Sequence, residues 1–312
     1  MLRTAVVALV LFSGACYVQA ESSQIPSGDE AYAHEIQQWR ATRVEALTAA
    51  DGWLSLVGLE WLKPGANRIG SAADNDVVLP SAPPHLGTVT LAADGSLHLL
   101  LAAASTARID GKVLHEAVLT DDMHVASGGQ PTMVSFGTAS FYAIDRDGRK
   151  GLRVKDSDAA TRTHFHGIDY FPIDRSWRIV ADWVPFHPAH VLEMGTEIGT
   201  IDKVVVPGKA VFSRDGHRHE LLPYQQEPGG KLFFVIADRT SGKQTYGAAR
   251  FLYAALPSHG LDRSGKVVLD FNQAYNPPCA FTPFATCPLA PPENRLDLSV
   301  TAGEKTYQGA DH

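Results

Sequence analysis

The stretch TMVSFGTASFYAIDRDG, residues 132–148, decides the fold class. Thr132–Phe136 and Ala139–Ile144 are short apolar-rich runs that read as strands. Asp147-Gly148 then supplies the positive φ that a tight hairpin turn needs. The same punctuation recurs at 51–52, 94–95, 110–111 and 215–216, and further strand-like runs, Asp76–Leu79, Thr88–Leu91 and Ser96–Leu101, lie between turns. Short strands at this spacing predict a mainly β chain that opens with a β-sandwich.

Working outward, the charged and small stretch KDSDAATR at 155–162 marks a domain boundary. Beyond it Trp177–Trp183, Val204–Val206, Ala210–Ser213, Lys231–Ala237, Ala249–Ala254, Lys266–Phe271 and Arg295–Val300 read as strands of a second antiparallel β-domain. In the last run Leu296, Leu298 and Val300 alternate with Asp297 and Ser299, which predicts one buried and one wet face. Upstream, Asp29–Ala49 carries Ile36, Trp39, Val44 and Leu47 near helical spacing, with Glu35, Gln38, Arg40 and Arg43 between them. It reads as an amphipathic helix capped by Ser27 with Glu30 three residues on. The expected organisation is a leader at 1–20, helix and linker at 21–51, a sandwich at 52–156 and a second β-domain at 157–312.

Residues 1–20 have the shape of a secretory signal: Arg3, an apolar run from Ala5 to Ala15, then Val18-Gln19-Ala20 ahead of Glu21. Ser13-Gly14-Ala15-Cys16 offers the alternative of a lipoprotein box, with Cys16 lipidated. The apolar run is too short to span a membrane, and no later stretch qualifies. A periplasmic or secreted location follows. Cys279 and Cys287 would then most economically form one disulfide around a short loop, with paired thiolate metal ligands as the competing reading. The chain has 312 residues and a formal net charge of −7, with 27 Lys and Arg, which argues against a broad nucleic-acid footprint. The total of 27 Gly and 19 Pro fits a turn-rich fold rather than a disordered one.

The chain lacks Gly-x-Ser-x-Gly, Ser-x-x-Lys, a paired-His zinc-protease helix, a phosphate-binding Gly-x-x-x-x-Gly-Lys and Gly-x-Gly-x-x-Gly. No cofactor or metal is expected. His164 and His166 would share a strand face near Asp169, but no third ligand is evident, so a polar strand face explains them better. Asp145-Arg146-Asp147-Gly148 is a fragment of a calcium-loop pattern without its distal Glu and reads as a hairpin turn. His217 and His219 follow the Asp215-Gly216 turn and should be exposed.

Two resemblances add to these readings. Arg68-Ile69-Gly70-Ser71, Asp74–Pro80, His85-Leu86-Gly87 and Asp110-Gly111 occur in the order of a forkhead-associated β-sandwich over roughly 53–155. Such domains bind phosphothreonine through loop residues that this chain replaces with Ser71, Pro83-Pro84 and Asp110, so the resemblance implies the scaffold without that recognition. The strings Asp270-Phe-Asn-Gln-Ala-Tyr-Asn-Pro-Pro-Cys-Ala280, Cys287-Pro-Leu-Ala-Pro-Pro-Glu-Asn-Arg-Leu296 and Ala302-Gly-Glu304 resemble the family catalogued as domain of unknown function 1684. That likeness runs from about Trp39 to Lys305 and implies an architecture but no reaction.

Residues 238–304 are the densest in polar chemistry. Asp270 and Asn272 would share a strand face, Tyr275-Asn276 would begin a rigid turn, and Tyr246, Arg250, Glu293 and Asn294 surround them in sequence. Two readings stand. These groups satisfy the backbone of a strand-poor loop, or they form a preorganised ligand or acid/base site. The leading functional expectation is an exported module binding a small polar ligand or an envelope protein. A hydrolase using carboxylates of the C-terminal domain and a structural envelope protein are the alternatives.

Overall fold

The computed structural model describes residues 28–126 and 128–309. The signal segment, Cys16 and the Ser27 cap lie outside them. Among the described residues the chain is mainly β, with one long helix, α1 (Gly28–Thr48), and no helix long and apolar enough to cross a membrane.

The N-terminal half contains β1 (Leu56–Trp61), β2 (Gly65–Gly70), β3 (Val77–Val78), β4 (Gly87–Leu91), β5 (Leu97–Leu101), β6 (Arg108–Ile109), β7 (Glu116–Leu119), β8 (Val134–Phe136), β9 (Ala139–Arg146) and β10 (Arg149–Asp156). They make two five-stranded sheets, ordered β1-β10-β9-β8-β6 and β3-β2-β4-β5-β7. Ile69, Val89 and Leu99 of one sheet meet Val134, Phe141 and Leu152 of the other in a single apolar core. The stretch that decides the fold class supplies β8, β9 and the turn into β10, where Asp147 and Gly148 hold φ of 54° and 77°. Asp51-Gly52 differs from the other Asp-Gly pairs. Gly52 has φ −67°, and a Cβ there would lie 2.5 Å from the Leu47 carbonyl oxygen. It is glycine because it presses on the end of α1, not because it turns a hairpin.

After a short α2 (Ala160–Thr163) come β11 (Arg178–Gly195), β12 (Ile201–Arg214), β13 (His217–Leu221), β14 (Tyr224–Gln225), β15 (Leu232–Ile236), β16 (Arg250–Ala254) and β17 (Gly265–Asp270). They form a four-stranded sheet, β13-β12-β11-β17, and a three-stranded sheet, β14-β15-β16. All five residues of β15 are buried, because one face meets the four-stranded sheet and the other meets the Cys279–Cys287 loop and Leu56. β11 and β12 form a long hairpin arm, interrupted but not ended by a register shift between Pro185 and His190, and its tip packs on the cysteine loop, with Leu289 N–H donating to the Gly195 carbonyl at 2.8 Å and Glu197 N–H to the Cys287 carbonyl at 3.0 Å.

Several expectations need correction. Arg295–Val300 is not a strand: its alternation of buried and exposed residues holds, yet it only borders β15 through isolated bonds such as Leu296 N–H to the Ala237 carbonyl at 2.8 Å. His164 and His166 are not on a strand; both follow α2 and are exposed. His219 is buried, its ring 5.3 Å from that of Phe212, because its strand position points inward. Arg40 and Arg43 do not sit on the wet face of α1. They share its inward side with Tyr32, Ile36 and Leu47.

Candidate functional site

The polar residues singled out in 238–304 separate into distinct groups. Asp270 ends β17, where its carboxylate accepts from the Tyr32 hydroxyl at 2.8 Å and from Arg178 Nη1 at 3.0 Å. Asn272 donates to the Asp174 carbonyl at 2.8 Å and accepts from the Asp174 N–H at 3.0 Å. This group fastens the start of α1 to the end of the four-stranded sheet.

Arg250 is 1% exposed. Its Nη2 donates to Asp238 at 2.8 Å and to the Val300 carbonyl at 3.0 Å, and its Nη1 donates to the Ala302 carbonyl at 2.5 Å. Burial pushes the guanidinium down, and the Asp238 charge opposes that shift. Beside it the carboxylate of Glu304, itself fully buried, accepts from Arg43 Nε at 3.1 Å and from the Asn276 N–H at 2.7 Å. Burial raises its pKa, against the pull of Arg43. Asn276 also donates to the Lys305 carbonyl at 2.7 Å, and the Arg43 guanidinium lies 4.5 Å from the centre of the Tyr275 ring. These groups pair with one another and with nearby backbone, except Arg250 Nε and Asn276 Oδ1, which are buried without a hydrogen-bond partner.

Asn294 is spent on both backbone groups of Leu222, at 2.8 and 2.9 Å. Glu293 is exposed and joins neither Arg250 nor Asp270. Tyr246 donates weakly to the Cys279 carbonyl at 3.3 Å. The expected Cys279–Cys287 bridge is absent. Both are buried free thiols, and each sulfur instead accepts the other residue's backbone N–H, at 3.2 and 3.3 Å. The hydrogen bond with Cys279 and burial push the Cys287 thiol far up. Tyr32, Arg43, Asp238 and Glu304 were missed as partners. Asp238 and Glu304 bound the segment that stands out in the sequence, whereas Tyr32 and Arg43 lie far from it.

The cysteine loop reaches the other half of the molecule. Thr286 Oγ1 accepts from Arg146 Nε at 2.9 Å and Arg153 Nη2 at 3.2 Å. Next to this contact an open cleft of about 1190 Å³ lies between the halves. Its walls are the β9–β10 turn with Asp145, Arg146 and Asp147, the start of β12 with Ile201, Asp202 and Val205, and the Tyr224–Gln226 segment. Nothing local in the sequence joins these segments. The Asp-Arg-Asp-Gly turn was the one visible fragment.

At the rim Asp121, His124 and Asp145 bring three potential ligand atoms close together. Lys150 already answers them: its Nζ lies 2.6 Å from Asp121 and 2.7 Å from Asp145. Burial works to raise the Asp121 pKa, but hydrogen bonds from Lys150 and His124 outweigh it and hold the carboxyl below its usual range. An ammonium thus takes the place a cation would occupy. Arg146 is likewise paired with Asp122, 2.7 Å away. Asp147 and Asp202 make no hydrogen bond or ion pair among the described residues.

Residues 163–305 match the family model described as protein of unknown function (DUF1684). The matched segment begins within α2 and holds the arm, both C-terminal sheets and every polar group named above in 238–304. A solution NMR structure of an uncharacterized protein from Haloarcula marismortui is similar at 29% identity over 48% of this chain and 81% of that chain, with a TM-score of 0.40. No curated protein matches the chain.

Proposed function

We propose that the protein is an exported binding module that takes a small polar ligand in the cleft between its two halves. The observation that carries this reading is the cleft itself, about 1190 Å³, walled by both halves and lined by apolar as well as charged groups. Ligand sites commonly have this mixture, and the cleft is somewhat larger than their usual ~300–1,000 Å³. The hydrolase alternative receives less support, because Asp270 is enclosed by Tyr32 and Arg178 while Glu293 stands apart on the surface.

Export rests on the shape of residues 1–20. Intact mass of envelope-purified protein should begin at Glu21, and a diacylglyceryl mass on Cys16 would replace that with the lipoprotein alternative. In an oxidising compartment a disulfide-exchange oxidant would take two electrons and two protons from the Cys279 and Cys287 thiols, itself becoming a dithiol, and the new bond would stabilise the loop by about 2 kcal/mol. The N-terminal sandwich keeps the forkhead-associated order without phosphothreonine recognition. Asp110 sets a carboxylate where a phosphate would be repelled, and it is already engaged with the Met133 N–H at 2.9 Å.

The test of the binding reading is an NMR screen of the labelled protein against sugars, amino acids and amines. Perturbations clustering at 145–147, 201–205 and 224–226 support it. A screen that leaves those resonances unmoved transfers support to a structural envelope role.

A further inference from the structure

We infer that the ligand of this cleft is an amphipathic organic cation, an ammonium group carried on an apolar body. This rests on the binding reading above and adds the chemistry of the guest.

The cleft wall presents an apolar surface. Met123, Ile201 and Val205 are 67%, 57% and 62% exposed, and all three line the cleft. Apolar side chains gathered in a concave surface favour a guest that can cover them. The Tyr224 ring, packed edge-on to Phe233 at 5.3 Å, stands beside this wall and offers a rigid aromatic surface. A purely polar guest, such as a sugar phosphate or a hydrated metal ion, would leave that wall uncovered.

The charge of the cleft is what remains after the partners are assigned. Every basic group of the walls is already matched: Arg146 with Asp122 at 2.7 Å, Lys203 with Glu193 at 3.4 Å, and the rim's Lys150 with Asp121 and Asp145. Among the described residues no basic group of the walls lacks a carboxylate partner. Asp147 and Asp202 are the wall carboxylates that make no hydrogen bond or ion pair with any described group. Partial desolvation holds the Asp202 carboxyl above its usual range; Arg146 pulls it down and Asp147 pushes it further up. A guest's ammonium would relieve that repulsion and could lie over an aromatic face at the same time.

The test titrates the whole protein at pH 7 and low salt with phenethylamine, phenylacetate, benzyl alcohol and a neutral disaccharide, read by NMR and calorimetry. Phenethylammonium should bind at the cleft at least about tenfold more tightly than phenylacetate. Salt should weaken it, and Asp147→Asn with Asp202→Asn should cost about tenfold in affinity while leaving the melting temperature unchanged. If phenylacetate or the disaccharide perturbs the cleft equally or better, the cation inference fails and the binding reading stands. The inference also fails if phenethylammonium binds the double variant as well as the wild type. If no probe moves the cleft resonances, both fall.

Discussion

Asp270 and Asp202 lie on strands of the same four-stranded sheet, at opposite ends of it. Asp270 is 5% exposed and is enclosed by Tyr32, Arg178 and Asn272. Asp202 lies on the arm, faces the cleft and pairs with nothing. The first belongs to a conspicuous motif and does the work of a fastener. The second sits in an unremarkable run of Ile, Asp, Lys and Val and meets solvent at the mouth of a cavity. Density of polar residues along a sequence therefore marks where buried backbone and charges need partners. Availability for a ligand is decided by which groups remain unpaired after folding.

The contrast breaks most directly at Arg250. Arg250→Met removes a buried ion-pair partner and contacts to the Val300, Ala302 and Glu304 carbonyls, and should cost roughly 4 kcal/mol in urea unfolding. A loss below about 1 kcal/mol would mean that Arg250 is not structural and would return the motif to the list of functional sites. Lys150→Met should cost about 3 kcal/mol at pH 7, because Asp121 and Asp145 lose their shared cation. Asp121 has a folded pKa below its unfolded value of about 3.9. Its stabilisation is present above that value and is lost as pH falls through the folded pKa. The gap between wild type and the lysine variant should therefore narrow in unfolding curves taken below about pH 4. A gap that stays constant would detach Lys150 from Asp121.

Tyr32→Phe deletes a hydroxyl shared by Asp270 and Asn272 and should cost about 1.5 kcal/mol. Amide hydrogen exchange should quicken across the first turns of α1 more than in the N-terminal sandwich. Uniform quickening would contradict a local fastener. The smallest stability effect is expected at the cleft. Asp202→Asn should change stability by less than about 0.5 kcal/mol, and a larger loss would show that the arm's aspartate is spent after all.

Much of the fold was legible because its signals are local. Asp-Gly turns at 110–111, 147–148 and 215–216 adopt the positive φ that their sequence announces. Where the structure departs from the sequence reading, the cause is a partner distant in the chain. The wet-looking Arg40 and Arg43 turn inward because the Phe171 carbonyl and Glu304 await them, 131 and 261 residues away. Arg295–Val300 alternates like a strand but finds only the border of β15 to lean on, not a ladder. The arm beyond Pro185 was missed because two prolines break its strand pattern, while the register shift lets pairing resume at His190. The cleft was invisible because its walls come from three separated segments.

The clasp of α1 also sets an order of events in the life of the chain. Tyr32 reaches across 238 residues to Asp270, and Arg43 across 261 to Glu304. During synthesis the helix emerges first and its receptors emerge last. Until about residue 281 has been made, Trp39 lacks Tyr275, and Leu47 has Leu54 but not Ala280 and Phe281. Contacts of such long sequence separation form slowly, and the exposed apolar face in the meantime is a hazard for aggregation. A chaperone that covers this helix would therefore hold the nascent protein open while competing in the first half only with the packing of Leu47 on Leu54.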